Sequence, residues 1–213
     1  LFNDWGSNAF ANQAHFTNTT VENISFTNNL VIDAGIANGD VYFKNCVFGG
    51  ELAHQGVHFD SGNATIVFDG CTFVGRNMFG ASLTKVVFNN CTFLNKKSSL
   101  TGADKWTGVN MWGKYEFNNC VFETNGKAIL VYNEGAGATN VVVKNCTFKA
   151  TAGAKAGAIA NQNCAAIEID NFQSSGVGAA HNVKTSGNTF DANFSGEWRI
   201  KNFVAGNAVT VNG

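Results

Sequence analysis

One short pattern, apolar-x-Asn-Cys-x-Phe, recurs along the chain. It reads Phe43-Lys44-Asn45-Cys46-Val47-Phe48, then Phe68-Asp69-Gly70-Cys71-Thr72-Phe73, then Phe88-Asn89-Asn90-Cys91-Thr92-Phe93. It returns as Phe117-Asn118-Asn119-Cys120-Val121-Phe122 and Val143-Lys144-Asn145-Cys146-Thr147-Phe148. Degenerate copies precede and follow at Val21-Glu22-Asn23-Ile24-Ser25-Phe26, Ile169-Asp170-Asn171-Phe172 and Ile200-Lys201-Asn202-Phe203. The cysteine-equivalent positions are 24, 46, 71, 91, 120, 146, 172 and 203, so the intervals are 22, 25, 20, 29, 26, 26 and 31. A repeat of this length is the signature of a solenoid, whose units bury their apolar faces only by stacking.

The residue types choose the kind of solenoid. Leucine-rich repeats need several Leu per unit, and Leu is scarce here, while β-branched residues and Phe, which favour strands, are abundant. Before each Asn, apolar residues alternate: Val41 and Phe43, Ile66 and Phe68, Val86 and Phe88, Tyr115 and Phe117, Val141 and Val143, Ile167 and Ile169, Trp198 and Ile200. Alternate side chains of a strand share a face, so these point inward. After the Asn, Cys and Phe point inward and the residue between them outward. The Asn turns the chain because it tolerates left-handed backbone. Further strands are expected at 56–60, 108–112, 128–132 and 157–160. The expected fold is all-β, a right-handed parallel β-helix of about eight coils with three short strands per coil. At about 4.8 Å per coil the rod is roughly 38 Å long.

Composition supports this reading. Pro is absent and Gly numbers 24 in 213 residues, so turns depend on Gly and Asn. A formal net charge of −1 offers no basic stripe, which argues against nucleic-acid partners. No apolar run approaches the roughly 20 residues needed to span a bilayer, so no membrane insertion is expected. The whole of 1–213 reads as one domain. Residues 1–18, with Trp5, Phe10 and Phe16, are expected to cap the first coil. The last stretch still reads as strand, so the solenoid or a neighbouring domain is expected to continue beyond Gly213 in the full-length chain, or this end to pair with a partner.

Five of the six Cys occupy one position of the repeat. Disulfides need Cβ atoms about 3.8 Å apart with converging vectors, and structural zinc wants four ligands closing on a point. Thiols placed one per coil suit neither, so a buried row of free thiols is expected, with no metal and no cofactor. Cys164 lies outside the row. The residues between Cys and Phe, namely Val47, Thr72, Thr92, Val121 and Thr147, are expected to form an outward column.

The Asn-Cys-Thr-Phe type of coil resembles those of pectate-lyase-like right-handed β-helices. It is closest to the adhesin-like and polymorphic-outer-membrane-type repeats of surface proteins, over roughly residues 19–205. The resemblance implies an extracellular or cell-surface location. It also implies either a non-catalytic module or a polysaccharide lyase or glycoside hydrolase, and fold alone does not choose between them. Enzymes of that group work in a groove over the upstream strand of each coil. Here that groove would hold His58, Asp60, Asn110, Trp112, Tyr132 and Glu134, joined by Asp104, Lys105 and Trp106 from a loop. Aromatic faces stack on sugar rings, and carboxylates and amides bind hydroxyls. The two carboxylates of a glycosidase must sit about 5 to 9.5 Å apart; Asp60 and Glu134 fall on coils too far apart in stacking, and a pair of Asp104 with Glu134 rests on loop geometry. The expectation is therefore a non-catalytic, adhesin-like module that binds a polysaccharide or cell-surface glycan. The alternatives are a carbohydrate-active enzyme and a purely structural stalk.

Overall fold

The computed structural model describes residues 15–26, 32–49, 55–74, 76–79, 83–95, 109–111, 113–124, 128–132, 139–150, 167–170, 180–190, 198–201 and 208–212. Every regular element among them is a strand, and every strand pairing is parallel. The strands fall into three stacks.

The middle stack runs β1 (His15–Glu22), β3 (Ile32–Lys44), β6 (Ala64–Asp69), β9 (Lys85–Asn89), β12 (Lys114–Asn118), β15 (Thr139–Lys144), β18 (Ala180–Ser186) and β21 (Ala208–Asn212). The upstream stack runs from the first half of β3 through β5 (Gln55–Ser61), β8 (Arg76–Phe79), β11 (Val109–Met111), β14 (Ile129–Tyr132) and β17 (Ile167–Asp170) to β20 (Trp198–Lys201). Because β3 belongs to both, these two stacks form one fourteen-stranded sheet. The third stack is a separate seven-stranded sheet: β2 (Ser25–Phe26), β4 (Val47–Phe48), β7 (Thr72–Val74), β10 (Thr92–Asn95), β13 (Val121–Thr124), β16 (Thr147–Ala150) and β19 (Thr189–Phe190). From β4 onward each strand pairs with the third strand after it, which is the winding of a parallel β-solenoid.

The register carries equivalent residues into columns. Val41, Ile66, Val86, Tyr115, Val141 and Val183 form one inward column, and Phe43, Phe68, Phe88, Phe117, Val143 and Thr185 another. Across the corner, Phe26, Phe48, Phe73, Phe93, Phe122, Phe148 and Phe190 stack face to face. Their successive centroid separations are 5.2, 5.1, 4.8, 4.6, 4.8 and 5.1 Å. The two phenyl columns meet edge to face, as Phe88 does with Phe93 at 5.3 Å and Phe73 at 5.6 Å. The core is thus an aromatic lattice with every ring in an attractive geometry.

The corner residues behave as their side chains dictate. Asn23, Asn45, Asn90, Asn119 and Asn145 all have positive φ, between 50° and 59°, and Gly70 (63°) and Gly187 (65°) take the same place. At each corner the backbone changes the neighbour it bonds to. Asn119 N–H donates to Lys144 O of the following coil, whereas Val121 N–H donates to Cys91 O of the preceding one, both at 2.9 Å. Gly70 is required for a second reason, since a Cβ there would lie 2.6 Å from Oδ1 of Asn45.

One assignment from sequence is overturned. Ile167–Asp170 and Trp198–Lys201 are not copies of the strand before the corner. They lie in the upstream stack, Ile167–Asp170 pairing with Ile129–Tyr132 and Trp198–Lys201 with Ile167–Asp170. The true next copy is Val183-Lys184-Thr185-Ser186-Gly187-Asn188-Thr189-Phe190, in register with the copy around Cys146. Sequence missed it because Thr replaces the inward apolar residue, Gly the corner Asn and Asn the Cys. Arg76–Phe79 is an upstream strand that was also missed. The strands expected at 56–60, 108–112 and 128–132 are present as β5, β11 and β14. The one expected at 157–160 lies outside the described residues, as do most of the N-terminal cap and Gly213.

Candidate functional site

The upstream stack brings part of the expected groove into line. His58 pairs in register with Met78, Met78 with Asn110, Asn110 with Leu130, Leu130 with Glu168 and Glu168 with Arg199. His58 and Asn110 therefore share one column, two coils or roughly 10 Å apart. Tyr132 begins a second column, with Asp170 and Lys201 following it. Asp60 lies in β5, two residues beyond His58. Asp104, Lys105, Trp106, Trp112 and Glu134 lie outside the described residues. His58, expected on an open face, is only 5% exposed.

Sequence reading missed four charged residues of these columns. Glu168 and Arg199 are register partners, and so are Asp170 and Lys201, so opposite charges occupy neighbouring coils at both positions. The matched texts Ile167-Glu168-Ile169-Asp170 and Trp198-Arg199-Ile200-Lys201 carry that signal, which becomes legible once both segments stand in the upstream stack.

The outer face of the middle stack is the most completely described surface. Its central column is Thr20, Tyr42, Val67, Val87, Glu116, Val142 and Lys184. Tyr42 is 37% exposed. Polar columns flank it. Asn118 Nδ2 donates to Asn89 Oδ1 at 3.0 Å, and Asn182 Nδ2 donates to Asn140 Oδ1 at 3.1 Å. Glu22 bridges Lys44 at 3.1 Å, and Glu116 bridges Lys85 at 2.7 Å. On the third sheet the Val47, Thr72, Thr92, Val121 and Thr147 column is in register as expected, extended by Thr189.

Cys46, Cys71, Cys91, Cys120 and Cys146 are free, and each is 1% exposed. Each sulfur contacts two carbonyl oxygens, one in its own coil and one in the coil before. Cys91 Sγ–H lies 3.3 Å from Asn89 O and 3.5 Å from Phe68 O. Cys120 lies 3.5 Å from both Asn118 O and Phe88 O. The thiols also interact with one another along the row. Cys91 is pushed far above the ordinary thiol value by hydrogen bonds with Cys120 and Cys71 and by burial, and Cys146 by its bond with Cys120 and by burial. Cys46 is raised by burial. Cys71, bonded by Cys91, and Cys120, bonded by Cys146 and Cys91, are drawn down. The row ends in an amide: Asn188 Nδ2 donates to Val143 O at 3.1 Å, matching the thiol-to-preceding-coil bond. Its Oδ1 accepts from Cys146 N–H at 2.8 Å.

Among the described residues no three His, Cys, Asp or Glu side chains converge as metal ligands, and no helix is long and apolar enough to cross a membrane. In comparisons with known proteins, no family model, no curated protein and no solved structure matches this chain.

Proposed function

We propose that this chain is a right-handed β-helix module of a surface or secreted protein, of about eight coils with three short strands each. It binds an extended glycan along its length and performs no chemistry on it. Right-handed winding is what about 98% of parallel crossover connections adopt. The observation that carries the reading is the columnar repetition of the outer faces. Amide pairs Asn89–Asn118 and Asn140–Asn182 on the middle stack repeat polar groups at the coil spacing, and in the upstream stack the backbone register sets Glu168 against Arg199 and Asp170 against Lys201. A polymer with a short repeat can satisfy such a row several times over, and each added contact costs little further ordering. Exposed Tyr42 adds an aromatic face. Kinship with pectate-lyase-like and adhesin-like repeats is part of this proposal.

The test is a glycan array combined with reducing-sugar and unsaturated-product assays on the hits. Binding without turnover, weakened by Tyr132→Ala or Tyr42→Ala, supports the reading. Turnover abolished by Asp60→Ala, Asp104→Ala or Glu134→Ala would replace it with a carbohydrate-active enzyme. Absence of any glycan binding would leave a structural stalk.

A further inference from the structure

The thiol column has a use beyond filling the core. We propose that it binds soft, two-coordinate monovalent cations of the copper(I) class, each held between two consecutive sulfurs. Among the described residues a four-coordinate ion has no site, because no three ligands converge there. A linear ion needs only two opposed sulfurs at the right separation. On the scale of the zinc–thiolate bond, about 2.3 Å, a linear sulfur–metal–sulfur unit spans about 4.6 Å. Consecutive coils are about 4.8 Å apart. Two residues from the sulfurs, the phenyl column measures 5.1, 4.8, 4.6 and 4.8 Å between Phe48, Phe73, Phe93, Phe122 and Phe148. Each Cys stands immediately before its strand and its carbonyl joins the coil-to-coil ladder, as Cys91 O accepts from Val121 N–H at 2.9 Å, so the thiols follow the same coil-by-coil translation. Thiolates select soft cations of this kind.

The charge balance suits an apolar core. One S–H bond breaks, one sulfur–metal bond forms and one proton leaves to solvent. The second sulfur keeps its proton and donates a lone pair. The product is neutral, so no net charge is buried. The retained proton already has acceptors, as Cys91 has in Phe68 O at 3.5 Å and Asn89 O at 3.3 Å.

Two cations on opposite sides of one sulfur would force a straight metal–sulfur–metal angle, which bent sulfur resists. Pairs therefore share no member, and five sulfurs in a row hold two cations. Loss of the second or fourth sulfur leaves one pair, whereas loss of the first, third or fifth leaves two.

The experiment titrates silver(I), which undergoes no redox change, into the Cys164→Ser protein. Bound metal is measured by native mass spectrometry and released protons in weak buffer. Each reading is taken after it becomes constant, because the thiols are buried. Two cations and two protons per chain are expected. Cys71→Val and Cys120→Val should each bind one cation, and Cys46→Val, Cys91→Val and Cys146→Val two, with strand circular dichroism retained. Should a variant not fold, the stoichiometry of the Cys164→Ser protein decides alone. No binding, five cations per chain, equal losses in all five variants, or binding without proton release would overturn the proposal.

Discussion

Replacing Phe88 by Ala tests whether the aromatic lattice is what holds the coils together. Phe88 is 0% exposed. It stacks on Phe68 at 5.2 Å and Phe117 at 4.7 Å, and meets Phe73, Phe79 and Phe93 edge to face at 5.6, 5.5 and 5.3 Å. Removing a fully buried ring loses its transfer free energy and leaves a cavity that stacked neighbours cannot close. The usual cost is about 3–5 kcal/mol. Phe190 gives the matched control. It is 37% exposed at the end of its described column and stacks on Phe148 at 5.1 Å. Its truncation opens no enclosed cavity and forfeits part of one ring's burial, about 1–2 kcal/mol. The expected gap is therefore about 2–3 kcal/mol. At a urea m-value of about 2 kcal/mol/M this lowers the midpoint of Phe88→Ala by about 1 M or more relative to Phe190→Ala. Urea titrations followed by circular dichroism, with m unchanged, measure it. Equal midpoints for the two variants would refute the lattice as the main source of cohesion.

Three further outcomes follow from the corners and the thiol row. Asn119→Ala should destabilise by about 1–2 kcal/mol, because Ala at φ 56° is strained, and Asn119→Gly by clearly less, as thermal unfolding would show. Asn188→Ala should cost about 1–3 kcal/mol by removing the acceptor of Cys146 N–H and the donor to Val143 O; Asn188→Asp, which keeps only the acceptor, should not restore full stability. Cys91 stays protonated in the fold while the unfolded thiol ionises above its ordinary value of 9.0, so the unfolded state then binds fewer protons. This contribution to stability is complete below pH 9 and falls as pH rises further, by about 1.4 kcal/mol per pH unit. Comparing urea midpoints of the protein and Cys91→Val between pH 8 and pH 10 measures that difference.

Much of the fold was legible because its determinants are local. The two-residue alternation in Ile66-Val67-Phe68 or Val86-Val87-Phe88 assigns inward and outward faces without knowledge of the partner strand. Asn and Gly at the corners announce left-handed backbone from their own conformational preferences. Of the expected groove, the columnar relation of His58 to Asn110 was legible through the shared upstream strand, but its openness was not. Burial of His58 depends on what folds over that face.

The boundary between the two kinds of information runs through the C-terminal half. Sequence by itself determined the strand character of Ile167–Asp170, the free thiol row and the turning residue at the six corners from Asn23 to Asn145, since each follows from side-chain periodicity or from one residue's allowed φ. Only the tertiary structure decided which stack a strand joins. Ile-Glu-Ile-Asp alternates equally well in the upstream or the middle sheet, and the choice rests on the backbone hydrogen bonds and side-chain columns offered by the coil beneath. The same stacking admits Thr185 and Asn188 at inward positions, because hydrogen-bonding partners in the neighbouring coil satisfy the amide that would otherwise be costly to bury.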